Sequence, residues 1–580
     1  MKKTIFLSLL ALPALLVAQT GGLDPADIVK PLADQWTSYS GDMSGKRYSS
    51  LKQINTTTVK NLSLKWLSTG ITSGCGPDGT GPANAAPAAG GFGGGGGFGG
   101  GGGRGGGGGA AAPIIVGGFG NGDANNCGPA RFGGGILFVD NTIYASAPDN
   151  VWAVDARDGT PLWHYYWKSR GGTSLQTRGL GMWHNFIFFE LHDDWVVCLD
   201  AKTGKEVWKK EISSFDEQYF SSNAPMVLGN HIVIGTGNDT DRPAYIKSLD
   251  PETGSEQWRF YSTAQNPGEP GVETWASLDA ARHGGGTSWI PGSYDPETHL
   301  YLFGTGNPTP AYTGGRGDGD NLYTGCLLAI NVDTGKMVWY FATSPHDTHD
   351  WDSTQTPILA DAMFGGKMRK LVMMATRNGY FYVLDRVTGE HLITAKLGLV
   401  NNYASAVDPN SPLHLNKRGE VQRNPNKDAL VAGSLVNNDV LNYPPATFSP
   451  ESGLFYVHEQ NNLRLYYLMD PDPRGSMGLG GTGGGASLSW PTYIDAIDYT
   501  TGKVTWRHEV GGSVGLLSTA GGVLFLSDAG GLVAWEAKTG KPLWHTQIGA
   551  LSAPPETFML DGKQAVLAAT GTGLFMFQLN

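Results

Sequence analysis

Residues 344–353, SPHDTHDWDS, put two His, three Asp and a Trp into ten positions of a chain that is only 16% charged. Short carboxylates such as Asp347, Asp350 and Asp352 cap turns by accepting from nearby backbone N–H groups. They can also do chemistry. A hard cation takes six or more oxygen ligands, and a carboxylate beside it stays ionised and can accept a proton from a hydroxyl. A zinc site using His346 and His349 is the rival within this stretch, and a solvated acidic loop is the plain alternative. Two more segments set oxygen donors beside glycine: TGND with Asp239, and TGNP with Asn307. Each is an ordinary turn by composition, or a source of cation ligands if the fold gathers them.

The elements that must gather them are written as a repeat. The phrase recurs as AVDARDGTPLW (153–163), CLDAKTGKEVW (198–208), SLDPETGSEQW (248–258), AINVDTGKMVW (329–339), VLDRVTGEHLI (383–393), AIDYTTGKVTW (496–506) and AWEAKTGKPLW (534–544). Each copy reads as apolar strand, tight turn, apolar strand. The acidic or amide residue and Thr bond turn backbone, Gly supplies a positive φ, and the final Trp packs as a flat wedge between units. SYDPETHLYLF (293–303) and FSPESGLFYV (448–457) read as degenerate copies, which brings the expectation to about eight four-stranded units. Short strands, abundant glycine and little amphipathic helical pattern predict an all-β chain, an eight-bladed β-propeller of antiparallel blades. The glycine-rich run within 75–134 can bury almost nothing and is expected to be a flexible surface insertion in the single domain 19–580.

MKKTIFLSLLALPALLVAQ has two Lys, an apolar run and Ala18 before Gln19, the pattern of a secretory signal peptide over 1–18. No other stretch has the apolar length of a membrane span, so a soluble periplasmic product is expected. Without Lys2 and Lys3, 39 of the 41 basic residues face 52 acidic ones, a formal charge of about −13, which argues against a nucleic-acid partner. Export permits a Cys75–Cys127 bridge, whereas Cys198 and Cys326 sit in apolar strand-like runs. The absence of CxxCH removes covalently attached haem from the expectations.

Off the repeat, WTSYSGDMSGKRYSSLKQINTTTVKNLSLKW (36–66), HGGGTSW (283–289), FGTGNPTP (303–310), GDGDNLYTG (317–325), SPHDTHDWD (344–352), ATRNGYFYVLDR (375–386) and TAGGVLF (519–525) resemble the PQQ-dependent alcohol dehydrogenases, the methanol and ethanol quinoprotein family. The resemblance runs nearly end to end. It implies a propeller holding pyrroloquinoline quinone (PQQ) and a Ca²⁺ or lanthanide(III) ion near its axis. It further implies Asp239, Asn307, Asp350 and Asp352 as metal ligands, with Asp241 as a substitute for Asp239. Asp352 is the feature associated with lanthanide-using members. Trp289 is implied as the floor on which the cofactor stacks, Thr287 and Asn442 as polar contacts, Arg178 as a carboxylate binder, and Arg377 as the partner of the reactive quinone oxygen.

By the same resemblance, a primary alcohol is oxidised to an aldehyde, Asp350 takes the hydroxyl proton, and electrons leave to a separate soluble cytochrome c. His346, Asp347 and His349 are expected to hold the loop by hydrogen bonds. Oligomeric state is open, a homodimer included. Two departures stand out. The family's vicinal cysteine pair would fall near Gly172 and Thr173, and its early acidic cofactor contact is replaced by RFGGGILF (131–138). A non-catalytic propeller acting as an assembly scaffold, or a dehydrogenase that has lost its cofactor, are the alternatives. The off-repeat residues discriminate, since a scaffold has no need of them.

Overall fold

The computed structural model describes residues 22–580 apart from 70, 74–113, 118–127, 130–131, 168, 170–176, 218, 237–241, 312–315, 400–433, 469–481, 513 and 572. The expected leader, the suggested Cys75–Cys127 pair, Gly172, Thr173, Asp239 and Asp241 therefore lie outside the described residues, as does most of the glycine-rich run. Within 75–134, Ile114–Gly117 pairs in parallel with Pro161–Trp167, and Gly128–Pro129 pairs with Thr72–Ser73. Among the described residues no helix is long and apolar enough to cross a membrane. Cys198 and Cys326 are buried and free.

Eight sheets of four antiparallel strands follow one another: blade one spans 137–167, blade two 181–211, blade three 226–261, blade four 293–342, blade five 358–396, blade six 447–510 and blade seven 517–547. Blade eight takes its first three strands from 551–579 and its fourth from Leu62–Thr69, so the two ends of the described chain close an eight-bladed propeller. First strands of neighbouring blades approach one another, as between blades two and three, four and five, and six and seven, which puts them at the axis.

The repeat phrase is the turn between the third and fourth strands of a blade. In blade two, Asp200 Oδ1 accepts from the backbone N–H of Lys202 (3.1 Å) and Thr203 (2.9 Å), and Asp250, Asn331, Asp385 and Asp498 repeat the device. The indole N–H of the fourth strand then reaches the next blade's turn: Trp66 to the Ala156 carbonyl (2.8 Å), Trp163 to Ala201 (2.9 Å), Trp208 to Pro251 (3.1 Å), Trp258 to Val332 (2.6 Å), Trp339 to Arg386 (3.1 Å) and Trp506 to Ala537 (3.2 Å). The turn glycines Gly159, Gly254, Gly335 and Gly389 lie beneath the preceding indole, whereas Gly502 meets Ala395 and Ile393 because the preceding phrase ends in Ile. Gly335 has φ +65°, and a Cβ there would come within 2.6 Å of the Trp258 ring. Both the dihedral and the space exclude a side chain.

Eight blades carry seven phrases because the third-to-fourth connection of blade eight is where the chain is cut; Trp66 supplies its wedge from the N-terminal side. The segments 293–303 and 448–457 are not degenerate copies of the phrase. They are first-to-second-strand hairpins of blades four and six, which share its turn residues because both connections need a tight reversal.

Candidate active site

Antiparallel order fixes which connections share a face. First-to-second and third-to-fourth turns open on one side of the ring; second-to-third turns and the crossings from one blade to the next open on the other. Every predicted site residue among the described residues belongs to the second set. Arg178, Thr287, Trp289, Asp350, Asp352 and Asn442 sit in blade-to-blade crossings, and Asn307 and Arg377 in second-to-third connections. A small sheet of Ser434–Asp439, Asn462–Leu468 and Thr482–Ser489 is built from the same two kinds of connection around blade six.

The crossing into blade five is stapled from within. Asp347 accepts from the backbone N–H of His349 (2.8 Å) and of Trp351 (2.6 Å), and the Arg316 guanidinium holds the Asp347 carbonyl (2.7 Å). Burial pushes the Asp347 carboxyl up to about 6 against those bonds. His346 Nδ1 meets the Gly319 carbonyl at 2.7 Å. The His349 ring stacks on Trp351 with centroids 4.5 Å apart, and burial pushes its pKa down to about 3. All three are loop-holding groups, and zinc ligation through the histidines finds no support in these contacts.

Asp350 has φ +62°, a left-handed backbone that short polar residues tolerate best. It faces Arg377, on the tight turn of blade five, with Nη2 to Oδ2 at 3.2 Å. The same guanidinium donates from Nη1 to Asp352 Oδ2 (2.7 Å) and from Nε to Asp439 Oδ1 (2.6 Å). Of the three carboxylates, the side chain of Asp350 is 16% exposed, against 5% for Asp352 and 8% for Asp439. Asp352 also accepts from the Asn307 backbone N–H (2.8 Å) and the Trp289 indole N–H (3.1 Å), and burial raises its pKa against the pull of Arg377. Gly306 must lack a side chain, for a Cβ would stand 2.7 Å from Asp352 Oδ1.

Trp289 is partly buried, and the guanidinium of Arg178 lies over it at 5.0 Å and over Tyr443 at 4.4 Å. Among the described residues no carboxylate pairs with Arg178, and burial lowers its pKa. Thr287 is buried. Asn442 Oδ1 accepts from the neighbouring Tyr443 N–H (2.8 Å), and Asn307 Nδ2 donates to the Pro308 carbonyl (3.0 Å). The structure thus brings Asn307, Trp289, Asp350, Asp352 and Arg377 into one network and sets Arg178 on the Trp289 ring.

Sequence reasoning missed Asp439, Tyr443 and His192. Asp439 and Tyr443 lie within three residues of the proposed Asn442, and nothing in the sequence marks either as a partner of Arg377 or Arg178.

Two observations test whether a cation and a polar cofactor suit these residues. Three carboxylates converge on one guanidinium at a buried site, a concentration of hard oxygen donors of the kind a multivalent cation takes. The carboxylates meet on the guanidinium rather than at one point: no cluster of three His, Cys, Asp or Glu stands at metal-binding range among the described residues. Beside Trp289, Thr177 Oγ1, Arg178 Nε, both ring nitrogens of His192 and Ser288 Oγ are buried without hydrogen-bond partners. Buried polar atoms are nearly always paired, so this wall suits a polar, anionic, planar ligand. The residues fit both groups.

Residues 123–406 match the family model described as "PQQ: Glucose/ethanol/alcohol dehydrogenase, beta-propeller domain". Residues 492–576 match that of the outer membrane protein assembly factor BamB; they hold repeat strands of blades six to eight and none of the predicted site residues. The chain is 32% identical over 478 residues to the quinoprotein alcohol dehydrogenase PedH of Pseudomonas putida, covering 75% of this chain and 78% of that protein. It is 30% identical over 484 residues to the quinohemoprotein alcohol dehydrogenase ADH-IIG of Pseudomonas putida, covering 75% of this chain and 66% of that longer protein, just under two thirds. A europium-containing methanol dehydrogenase superposes with a TM-score of 0.73 at 25% identity, over 95% of this chain and 92% of that one.

Proposed function

The chain belongs to the PQQ-dependent quinoprotein alcohol dehydrogenases, and on that footing we propose that it oxidises a primary alcohol to an aldehyde in the periplasm, using PQQ and a lanthanide(III) or Ca²⁺ ion and passing electrons to a soluble cytochrome c. The observation that carries the reading is the carboxylate cluster on Arg377, in which one member, Asp350, remains reachable from solvent.

A two-electron acceptor and a Lewis acid are what the bound quinone and cation supply. The chain's own residues do the rest. Trp289 offers a flat indole face, and Arg178, unpaired by any carboxylate among the described residues, is the charge that would bind a cofactor carboxylate. Thr287 and Asn442 are the further polar contacts. Asn307, Asp350 and Asp352 supply oxygen donors for the cation, with Asp239 as the fourth member of the set. Asp350 accepts the alcohol's hydroxyl proton at its carboxylate oxygen, being the most exposed of the three carboxylates. Asp352 is too enclosed to touch substrate, which limits it to holding the cation and orienting Arg377. The scaffold reading leaves this convergence of carboxylates on Arg377 without a use.

Protein reconstituted with PQQ and either La³⁺ or Ca²⁺ should reduce dye in an alcohol-dependent manner, and Asp352→Ala should lose the La³⁺-dependent rate by about tenfold or more. Absence of both PQQ binding and dye reduction with either ion, across a panel of short alcohols, overturns the proposal in favour of the scaffold or the degenerate enzyme.

A further inference from the structure

The second-to-third turn of blade two carries a group that the proposed chemistry leaves unused. His192 is 2% exposed, and neither ring nitrogen has a hydrogen-bond partner. Backbone contacts set it in the wall already described. The Ser221 N–H donates to the His192 carbonyl (3.3 Å), the Arg178 N–H to the Ser222 carbonyl (3.1 Å), and Asn223 Nδ2 to the Ser288 carbonyl (3.0 Å), one residue before Trp289.

A buried imidazole with two unmet hydrogen bonds is a poor packing choice, because an apolar side chain of similar volume would fill the space without that penalty. It also lies near enough to Arg178 to feel its charge. Burial first, and Arg178 second, push its pKa down to about 4, so the ring is neutral at physiological pH and offers one donor and one acceptor. Arg178 is itself without a carboxylate partner among the described residues. The pair is matched to an anion that would accept from both.

We propose that His192 is a cofactor-contacting residue, whose ring N–H donates to the carboxylate of PQQ that lies against Arg178. This rests on the quinoprotein reading, and the test separates the two. PQQ is titrated into metal-loaded protein prepared without it, and binding is followed by quenching of tryptophan fluorescence, for wild type, His192→Phe and His192→Gln. Phe keeps the ring's bulk without its nitrogens, and Gln keeps a donor. Loss of a hydrogen bond to a charged group predicts about a tenfold or greater weakening of the Kd for His192→Phe, with His192→Gln within about threefold of wild type. The melting temperature without PQQ should be unchanged or higher in His192→Phe, which excludes misfolding as the cause; His192→Leu serves the same purpose if Phe does not fit. Wild-type affinity in the Phe or Leu variant overturns the role of His192 and leaves the quinoprotein reading standing. Failure of the wild type to bind PQQ overturns both.

Discussion

The two faces of the ring use the same residue types for different ends. On the face of the third-to-fourth-strand turns, Asp or Asn staples a turn, glycine takes the positive φ, and an indole from the preceding blade closes over it, as at Trp258 and Gly335. The device recurs from blade to blade and needs nothing from the blade opposite. On the other face the left-handed positions of the 344–353 loop are not glycine: His346 has φ +52° and Asp350 φ +62°. A glycine at 350 would relieve backbone strain, yet it would remove the carboxylate that faces Arg377. At position 350 the left-handed backbone is thus kept on a residue whose side chain faces Arg377.

If that division holds, substitutions on the two faces should separate activity from stability. The largest effect belongs to Asp350→Asn, which preserves shape and tolerates the left-handed backbone. Alcohol-dependent dye reduction should fall by about a thousandfold, the scale of a lost general base, while the unfolding midpoint stays near that of wild type. Equal loss of both would place Asp350 among the fold's supports. Gly335→Val is the converse. A branched side chain at positive φ against the Trp258 ring should cost roughly 3 kcal/mol in denaturant unfolding, with the specific activity of the folded fraction unchanged.

The same division explains what the sequence disclosed. A device repeated seven times announces itself, so strand, turn and wedge were readable from Asp, Gly and Trp, while the count of about eight units leaned also on two segments that are not copies of the phrase. The hairpins at 293–303 and 448–457 were misassigned because any tight reversal draws on the same residues. The site has no period. Asp350, Asp352, Asn307, Trp289 and Arg377 were reached through resemblance, and their convergence depends on crossings brought together only when the ring closes. Asp439 illustrates the limit: it lies 62 residues from Arg377, and nothing in its neighbourhood marks it as that residue's partner.

The smallest expected effect is the most direct comparison, because it sets one residue type at one task on both faces. Asp347 and Asp158 each accept from turn N–H groups, but Asp347 is buried and Asp158 exposed. For Asp158 the backbone N–H of Thr160 lowers the pKa, whereas for Asp347 burial outweighs two such bonds and raises it to about 6. The linkage signs are therefore opposite. A carboxyl whose folded pKa is raised favours folding fully below its unfolded value, about 3.9, and loses that contribution as pH climbs through 6; a lowered one contributes above about 3.9 and loses it in acid. In chelator-treated protein, Asp347→Asn should lower the melting temperature at pH 4 and recover about 1–2 °C relative to wild type by pH 7. Asp158→Asn should show no trend across that window and converge on wild type only below pH 4. Parallel pH profiles for the two variants would mean that burial does not distinguish the faces, and that the turn bonds alone set the charge state of both aspartates.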